Sequence, residues 1–187
     1  MAALTFVQLQ DLFYNITVGI TGFPAYNVRQ AYQGQGQPAW EVTDNVVFLN
    51  LTWQESTYNK QRDITYLNSL GSGTTSIQTV TYNDVLQVEW AIYGPLSFNN
   101  SDLIRSGILS ESVINTLRAN SIAPLTAITA PTRAPYLFDG QWWEKSDLTA
   151  SFNVLVSRAA TVNVFAQANL SVTDTQGQSN DIHLPTS

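Results

Sequence analysis

The sequence contains no cysteine and only one histidine, His183, near its end. The missing cysteines exclude disulfides, thiol nucleophiles and cysteine-ligated zinc or iron–sulfur centres. A Ser/His/Asp triad would require His183 to fold back into a site. Because the chain carries so little catalytic chemistry, we expect no enzyme activity, no cofactor and no metal site.

Charged residues are also scarce, at 12% of the 187 residues. The 14 Asp and Glu outnumber the eight Lys and Arg, giving a formal net charge of −6. Affinity for nucleic acid comes mainly from basic side chains that release counterions, so specific nucleic-acid binding is disfavoured. Six of the eight bases are Arg. Arginine suits fixed ion pairs at protein interfaces, and it is equally compatible with a solvated surface role.

Long hydrophobic runs are missing, and none approaches the roughly 18 apolar residues of a membrane span. The first residues lack the basic segment of a signal peptide, and Asp11 interrupts the apolar stretch. We therefore expect a soluble protein that is made in a cytoplasm and does not bind membranes. With 44% hydrophobic residues, the chain can bury a core, which indicates a folded protein rather than a disordered one.

Helical periodicity occurs at the start and in the middle of the chain. The spacing predicts a helix over 5–18 that begins with a capping box. A pair of helices is predicted over 99–120, with Asn100 or Ser101 capping the first helix and Ser110 capping the second.

Segments rich in β-formers or with alternating hydrophobicity predict strands. In the longest of them a turn or bulge is possible at 83–84, and every second residue from Leu86 to Ile92 should face the core. The predicted strands cover 26–32, 46–53, 64–67, 75–93, 148–156 and 161–172, with another β segment starting at Trp142.

The order of these elements predicts the fold class. Strands do not alternate one for one with helices, which favours an α+β fold with a mostly antiparallel sheet, packed with the N-terminal helix and the central helical pair. We expect a single domain over 1–172. Residues 173–187 lose their aromatic and most apolar side chains, which predicts a mobile C-terminal tail.

The segment 139–147 concentrates the residues from which a site could be built. Asp139 and Glu144 flank Trp142 and Trp143, a combination compatible with acid–base chemistry on a sugar stacked against indole rings. The same residues are compatible with an Asp-Gly turn that leads into a strand with solvated charges. The simpler interpretation is favoured, because sequence spacing cannot place two carboxylates across a sugar ring.

Other motifs carry less information. The glycines at 34–36 and 71–73 lack the remainder of a dinucleotide or phosphate-binding motif and predict loops. Tyr26, Tyr32 and Tyr93 are candidates for exposed anchors to a partner, although packing within the fold is the expected fate of each.

Three segments together resemble the tail terminator, or neck terminator, proteins of tailed bacteriophages. They are RQAYQGQGQP at 29–38, VEWAIYGP at 88–95, and PYLFDGQWWEKSDL at 135–148. In that family an R…YQ…GQP strand and turn, a YGP strand end before a helix, and a late W-E-x-S-D strand recur in this order. The resemblance covers about residues 5–172, and the Glu144-Lys145 pair departs from the Arg-containing versions.

The resemblance implies an α+β subunit that assembles into a ring, usually of six copies, at the head-proximal end of the tail. Such a ring stops polymerisation of the tail tube and joins the tail to the head connector, while genomic DNA passes through the lumen without specific binding. Its partners would be further copies of itself, the tail tube protein and the head–tail connector. A tube or head-completion protein is the nearest alternative, and a carbohydrate-binding module is a more distant one.

A ring subunit needs surfaces that contact identical copies and neighbouring components. The loops at 54–62 and 69–75 are candidates for contacts above or below the ring. Each residue predicted at the interface is also compatible with a solvated surface role. The predicted inter-subunit interface residues are Arg29, Arg133, Arg158, Glu144 and Lys145.

Overall fold

The computed structural model describes residues 4–32, 39–55, 57, 61–68, 75–125, 128–163, 169–173 and 179–183. The helices in these ranges are α1 (Phe6–Thr21), a short 3-10 helix (Ala25–Asn27), α2 (Ser97–Ile108) and α3 (Glu111–Ala119). The strands are β1 (Val28–Gln30), β2 (Val46–Gln54), β3 (Asp63–Asn68), β4 (Thr75–Tyr93), β5 (Ile122–Pro124), β6 (Thr132–Arg133), β7 (Tyr136–Phe138), β8 (Gln141–Trp143), β9 (Lys145–Asn163), β10 (Asn169–Thr173) and β11 (Ser179–His183).

The main sheet has the strand order β1-β2-β4-β9-β5, with β3 also paired to β4 and β6 to β9. β1 runs parallel to β2, whereas β2–β4, β3–β4, β5–β9 and β6–β9 are antiparallel. β7–β8 and β10–β11 form separate antiparallel pairs. The predicted α+β class with a mostly antiparallel sheet, an N-terminal helix and two further helices is confirmed. Within the described ranges, no helix combines the length and hydrophobicity needed to cross a bilayer.

The chain groups into two compact units. One contains Ala3–Gln61 and Tyr82–Val156, and the other contains Arg62–Thr81 and Ser157–Ser187. Strand β11 belongs to the stretch predicted as a C-terminal tail. The organisation into one domain over 1–172 and a mobile tail over 173–187 stays a prediction.

The core lies in the first unit, between one face of the sheet and the three helices. Because side chains alternate across a strand, the core receives every second residue of β2 from Val47 to Leu51, of β4 from Leu86 to Ile92 and of β9 from Leu148 to Val156. The alternate residues from Leu86 to Ile92 are buried, as predicted. Trp90 is fully buried, and its indole Nε1 donates a hydrogen bond to Thr17 Oγ1 at 2.9 Å. α1 contributes Leu9, Phe13 and Ile16 to the same cluster.

Helix α1 begins with the predicted capping box. Gln8 N donates to Thr5 Oγ1 at 3.2 Å, and Thr5 N donates to Gln8 Oε1 at 2.8 Å. The helix continues to Thr21, three residues beyond the predicted end at 18. It ends at Gly22, whose φ of 66° lies in the left-handed region that glycine adopts readily.

The predicted start of α2 is wrong. Asn100 and Ser101 lie inside the helix, which begins at Ser97, and both side chains are buried. A residue distant in sequence replaces the local cap, since Asn45 Oδ1 accepts hydrogen bonds from Leu96 N (3.1 Å) and Asn100 Nδ2 (3.4 Å).

The start of α3 agrees with the prediction in position. Ser110 is the N-cap residue and Glu111 lies in the first turn, where a carboxylate interacts favourably with the helix dipole. The hydroxyl of Ser110 makes no capping hydrogen bond and instead lies 3.4 Å from the Ser112 hydroxyl.

Two strand predictions need correction, and the longest one is confirmed. The strand predicted over 75–93 is β4, which runs without a turn at 83–84, where it exchanges β3 for β2 as its neighbour. The strand predicted over 26–32 is β1 alone, because a turn closed by Asn27 N donating to Pro24 O (2.8 Å) forms a 3-10 helix before it. In place of one strand over 161–172, β9 continues to Asn163, and Asn169–Thr173 forms β10.

Candidate functional site

The hairpin formed by β7 and β8 exposes several large apolar side chains of the first unit. Asp139 (φ 49°) and Gly140 (φ 72°) both adopt positive φ, as a two-residue type I′ turn requires. Tyr136, Leu137 and Phe138 are 54%, 52% and 58% exposed, and Trp142 is 64% exposed. Exposed apolar surface of this kind marks interaction sites for proteins, membranes or ligands.

The two faces of the hairpin have different surroundings. Tyr136, Phe138 and Trp143 line an open groove of about 430 Å³ whose other walls include Trp40 and Tyr93. We call these five residues the aromatic groove.

Leu137 and Trp142 are directly opposite each other in the hairpin register. Because side chains alternate across strands, they project from the face opposite to Tyr136 and Trp143. We call Leu137 and Trp142 the outward pair.

Edge-to-face aromatic contacts hold the aromatic groove together. The Trp40 ring centroid lies 6.0 Å from those of both Tyr93 and Trp143, and Phe138 lies 6.5 Å from Trp143. Tyr136 and Phe138 stack at 6.4 Å with an interplanar angle of 17°. Such pairs each contribute roughly 0.5–1.5 kcal/mol beyond their buried area, so the groove has a defined shape.

Arg29 supports the floor of the aromatic groove. Its guanidinium carbon lies 5.4 Å from the Trp40 ring centroid and 6.0 Å from that of Phe48, its partner in the β1–β2 register. Its Nε donates to the Tyr26 carbonyl at 2.8 Å. At 6% exposure, Arg29 is buried within its own chain and acts there as a cation–π support for Trp40.

The base of the hairpin is tied to the main sheet. Gly94 N donates to Glu144 O at 3.0 Å, which joins the end of β4 to the residue that follows β8. Lys145 Nζ pairs with Asp147 at 2.8 Å and lies 5.9 Å from the Tyr93 ring centroid. Burial raises the pKa of the Tyr93 phenol, and the positive charge of Lys145 opposes that shift.

The other predicted interface residues occupy separate places. Arg133 in β6 lies over the Phe98 ring at 5.0 Å. Arg158 is exposed on β9 in the second unit. Glu144 is exposed, and neither it nor Arg158 forms an ion pair with any residue in the described ranges. The structure therefore brings Glu144, Lys145 and Arg29 to the neighbourhood of the aromatic groove and leaves Arg133 and Arg158 elsewhere.

The predicted aromatic anchors also fall into two groups, those that line the aromatic groove and those that lie elsewhere. Tyr26 and Tyr32 are exposed, whereas Tyr93 is half-buried in the aromatic groove. Of the two adjacent tryptophans, Trp143 lines the groove and Trp142 projects from the other face. Most of the predicted contact loops at 54–62 and 69–75 lies outside the described residues.

Sequence reasoning missed the role of Trp40, Tyr136 and Phe138. A signal for the last two was present, since aromatic residues alternate immediately before an Asp-Gly turn. Trp40 carried no local signal, because only tertiary structure brings it to Trp143. In the described part of the chain, no cluster of three or more His, Asp or Glu side chains is arranged to hold a metal ion.

Comparison with known proteins identifies the family. The model of the phage neck terminator protein family matches residues 7–178, which is most of the chain. The protein therefore belongs to the phage neck terminator family, and the resemblance recognised in the sequence is confirmed. It has a structural role in the tail or neck of a bacteriophage. A search of curated proteins found no match.

Proposed function

We propose that this protein is a phage tail terminator, forming a ring of six copies at the head-proximal end of the tail. The ring stops polymerisation of the tail tube and joins the tail to the head–tail connector. The family match over residues 7–178 carries this proposal. The exposed hairpin supports it, since a subunit that works by assembly must present apolar surface before it meets its neighbours.

The five predicted interface residues contribute to the proposed ring in different ways. Glu144, at the base of the hairpin, and Arg158 are exposed and available to pair with charges on a neighbouring copy. Lys145 is paired with Asp147 in its own chain and would contribute by holding the base of the hairpin. Arg133 stacks over Phe98 and would contribute at a second contact. Arg29 supports the interface from within, because its guanidinium holds Trp40 in the aromatic groove.

The proposed partners follow from the position of the ring. One ring face contacts the tail tube protein and the other contacts the connector, while the genome passes through the lumen. A charge of −6 per copy favours passage of DNA without adhesion, since few basic groups are available to release counterions. Subunits assemble in the host cytoplasm and remain in the virion neck.

The decisive experiment deletes the gene from its phage and examines the tails by electron microscopy. We expect tails of uncontrolled length and heads without attached tails, both restored by supplying the intact gene. Cryo-electron microscopy of wild-type particles should place a ring of this chain at the neck. Normal tail length in the deletion phage, or density for the chain only along the tube, would refute the terminator role.

Sugar binding is the alternative that one observation favours. Trp40, Trp143 and Tyr136 line a groove of a size suited to small ligands, and sugars stack on such rings. On a glycan array this function predicts that Trp143→Ala, inside the groove, abolishes binding whereas Trp142→Ala, outside it, does not. The terminator function predicts no glycan binding by either variant or by the wild type.

A further inference from the structure

The helical side of the first unit carries a second surface without an assigned partner. A groove of about 440 Å³ lies between α1 and the α2–α3 pair, with apolar walls that include Leu12, Ile20, Leu103 and Val113. Its volume falls within the range of sites that bind ligands or peptide segments. None of its 11 lining residues is charged. We call it the helix groove.

The floor of the helix groove is set by a close approach of two helices. A Cβ on Gly107 of α2 would lie 2.5 Å from Ile20 Cγ2 of α1, so the Ile20 side chain packs directly against the glycine and a larger residue would displace it. Leu103, one turn before Gly107, is 44% exposed on the rim. The groove is therefore built into the helix packing and keeps apolar side chains in contact with water.

We propose that the outward pair of one copy docks into the helix groove of the next copy, an inference that rests on the proposed ring. A ring of identical subunits needs two different, complementary surfaces on each chain. The hairpin supplies an apolar projection and the helix groove an apolar depression. A foreign partner would require only one of these surfaces, whereas a second copy accounts for both.

The charge distribution also supports a second copy of this chain as the partner of the helix groove. Each copy carries −6, so identical copies repel each other unless they meet through surfaces with few charges. The hairpin segment from Tyr136 to Trp143 contains one charge, Asp139, at the turn. A contact between this segment and the uncharged helix groove therefore joins two weakly charged surfaces of acidic molecules.

The areas are also consistent with a contact between copies. With large apolar side chains burying about 150–250 Å² each, the outward pair, at 52% and 64% exposed, presents about 200 Å² of apolar surface. A standard specific interface buries about 800 Å² on each partner. The outward pair thus supplies about a quarter of one side as its apolar centre, and the residues around it supply the rest.

The absence of cysteine permits a direct cross-linking test. Leu137→Cys places a thiol on the outward face of the hairpin, beside Trp142, and Thr116→Cys places one on the wall of the helix groove, each at an exposed position. With a short bismaleimide, the double variant should give a covalent ladder from dimer up to the ring number on a denaturing gel. Each single variant should run there as uncross-linked chains, and an equal mixture of the two should stop at covalent dimers. Tyr32→Cys combined with Thr116→Cys is the control and should give no ladder.

An affinity measurement complements the cross-linking. Trp142→Ala should raise the concentration needed for half-assembly at least tenfold in light scattering, with Trp142→Phe recovering part of that loss. Circular dichroism should show both variants folded.

Different failures of this test have different meanings. Cross-linked dimers from Leu137→Cys alone would indicate that hairpins pair with each other, which overturns the proposed contact. Rings that form normally while the double variant gives no ladder would overturn it as well, leaving the ring intact. If the wild-type chain is monomeric at every concentration in solution and is present as a single copy on the tail, both the proposed ring and the proposed contact are refuted.

Discussion

At the scale of single residues, Gly94 determines how the chain leaves β4. Its φ of 109° is rarely adopted by other residues, and a Cβ at this position would clash with the backbone oxygen of Asp44. Its own N–H is bonded to Glu144 O, so the backbone cannot move away without breaking that link to the hairpin base.

We expect Gly94→Ala to lower the free energy of unfolding by about 3 kcal/mol, the sum of backbone strain and overpacking. Urea denaturation followed by circular dichroism measures the change. Gly19→Ala is the matched control, because its Cβ would meet open space within α1. That control should raise stability by about 0.5–1 kcal/mol through helix propensity. Equal stability of Gly94→Ala and the wild type would contradict the steric account.

Asn45 is the residue that fixes the start of α2. Replacing it with alanine removes the acceptor for Leu96 N and Asn100 Nδ2, and we expect a loss of about 1 kcal/mol, the usual net contribution of a hydrogen bond. Ser110→Ala provides the comparison, since Ser110 makes no capping bond and its loss should change stability far less. Thermal unfolding of both variants tests this, and a larger effect at Ser110 would refute the assignment.

At the scale of elements, the β7–β8 hairpin depends on its turn. A two-stranded hairpin is marginally stable by itself, and Gly140 must adopt a φ of 72°. Gly140→Val should therefore abolish ring assembly while leaving the core of the first unit folded. Light scattering and urea denaturation on the same sample separate the two effects.

The control for this variant is Asp139→Asn. Asn-Gly satisfies the same turn type, so assembly should be preserved. Assembly of Gly140→Val at wild-type concentrations would mean that the hairpin is not an assembly element.

The elements predicted correctly are those whose signal is local. The capping box and apolar spacing of α1, and the alternation from Leu86 to Ile92, are dictated by residues within one or two turns or along one strand. The start of α2 could not be predicted in this way, because its cap comes from Asn45, about 50 positions earlier. The same limit applies to the aromatic groove, where Trp40 meets Trp143 only after the sheet has formed.

At the scale of the whole molecule, the excess of acidic residues should govern how assembly depends on salt. Copies with a charge of −6 repel one another, and salt screens this repulsion while it strengthens apolar contacts. Raising the salt from about 50 mM to about 500 mM should therefore lower the concentration needed for half-assembly. Light scattering over a dilution series at each salt concentration measures this half-assembly concentration.

The opposite salt dependence would identify a different kind of interface. Weaker assembly at high salt would mean that ion pairs of Arg133, Arg158 or Lys145 dominate the contact between copies. Arg158→Gln would then weaken assembly at low salt, whereas an apolar contact leaves it nearly unchanged.

The exposure of Trp142 has a practical consequence. Of the five indoles, Trp90 is sealed in the core and Trp142 is the most open to water. The emission maximum of tryptophan shifts to shorter wavelength when water is excluded from the indole. Burial of Trp142 between subunits should therefore shift the intrinsic fluorescence maximum of the protein to shorter wavelength. The hairpin thus provides an intrinsic optical reporter, and the kinetics of ring formation can be followed in unlabelled protein by stopped flow.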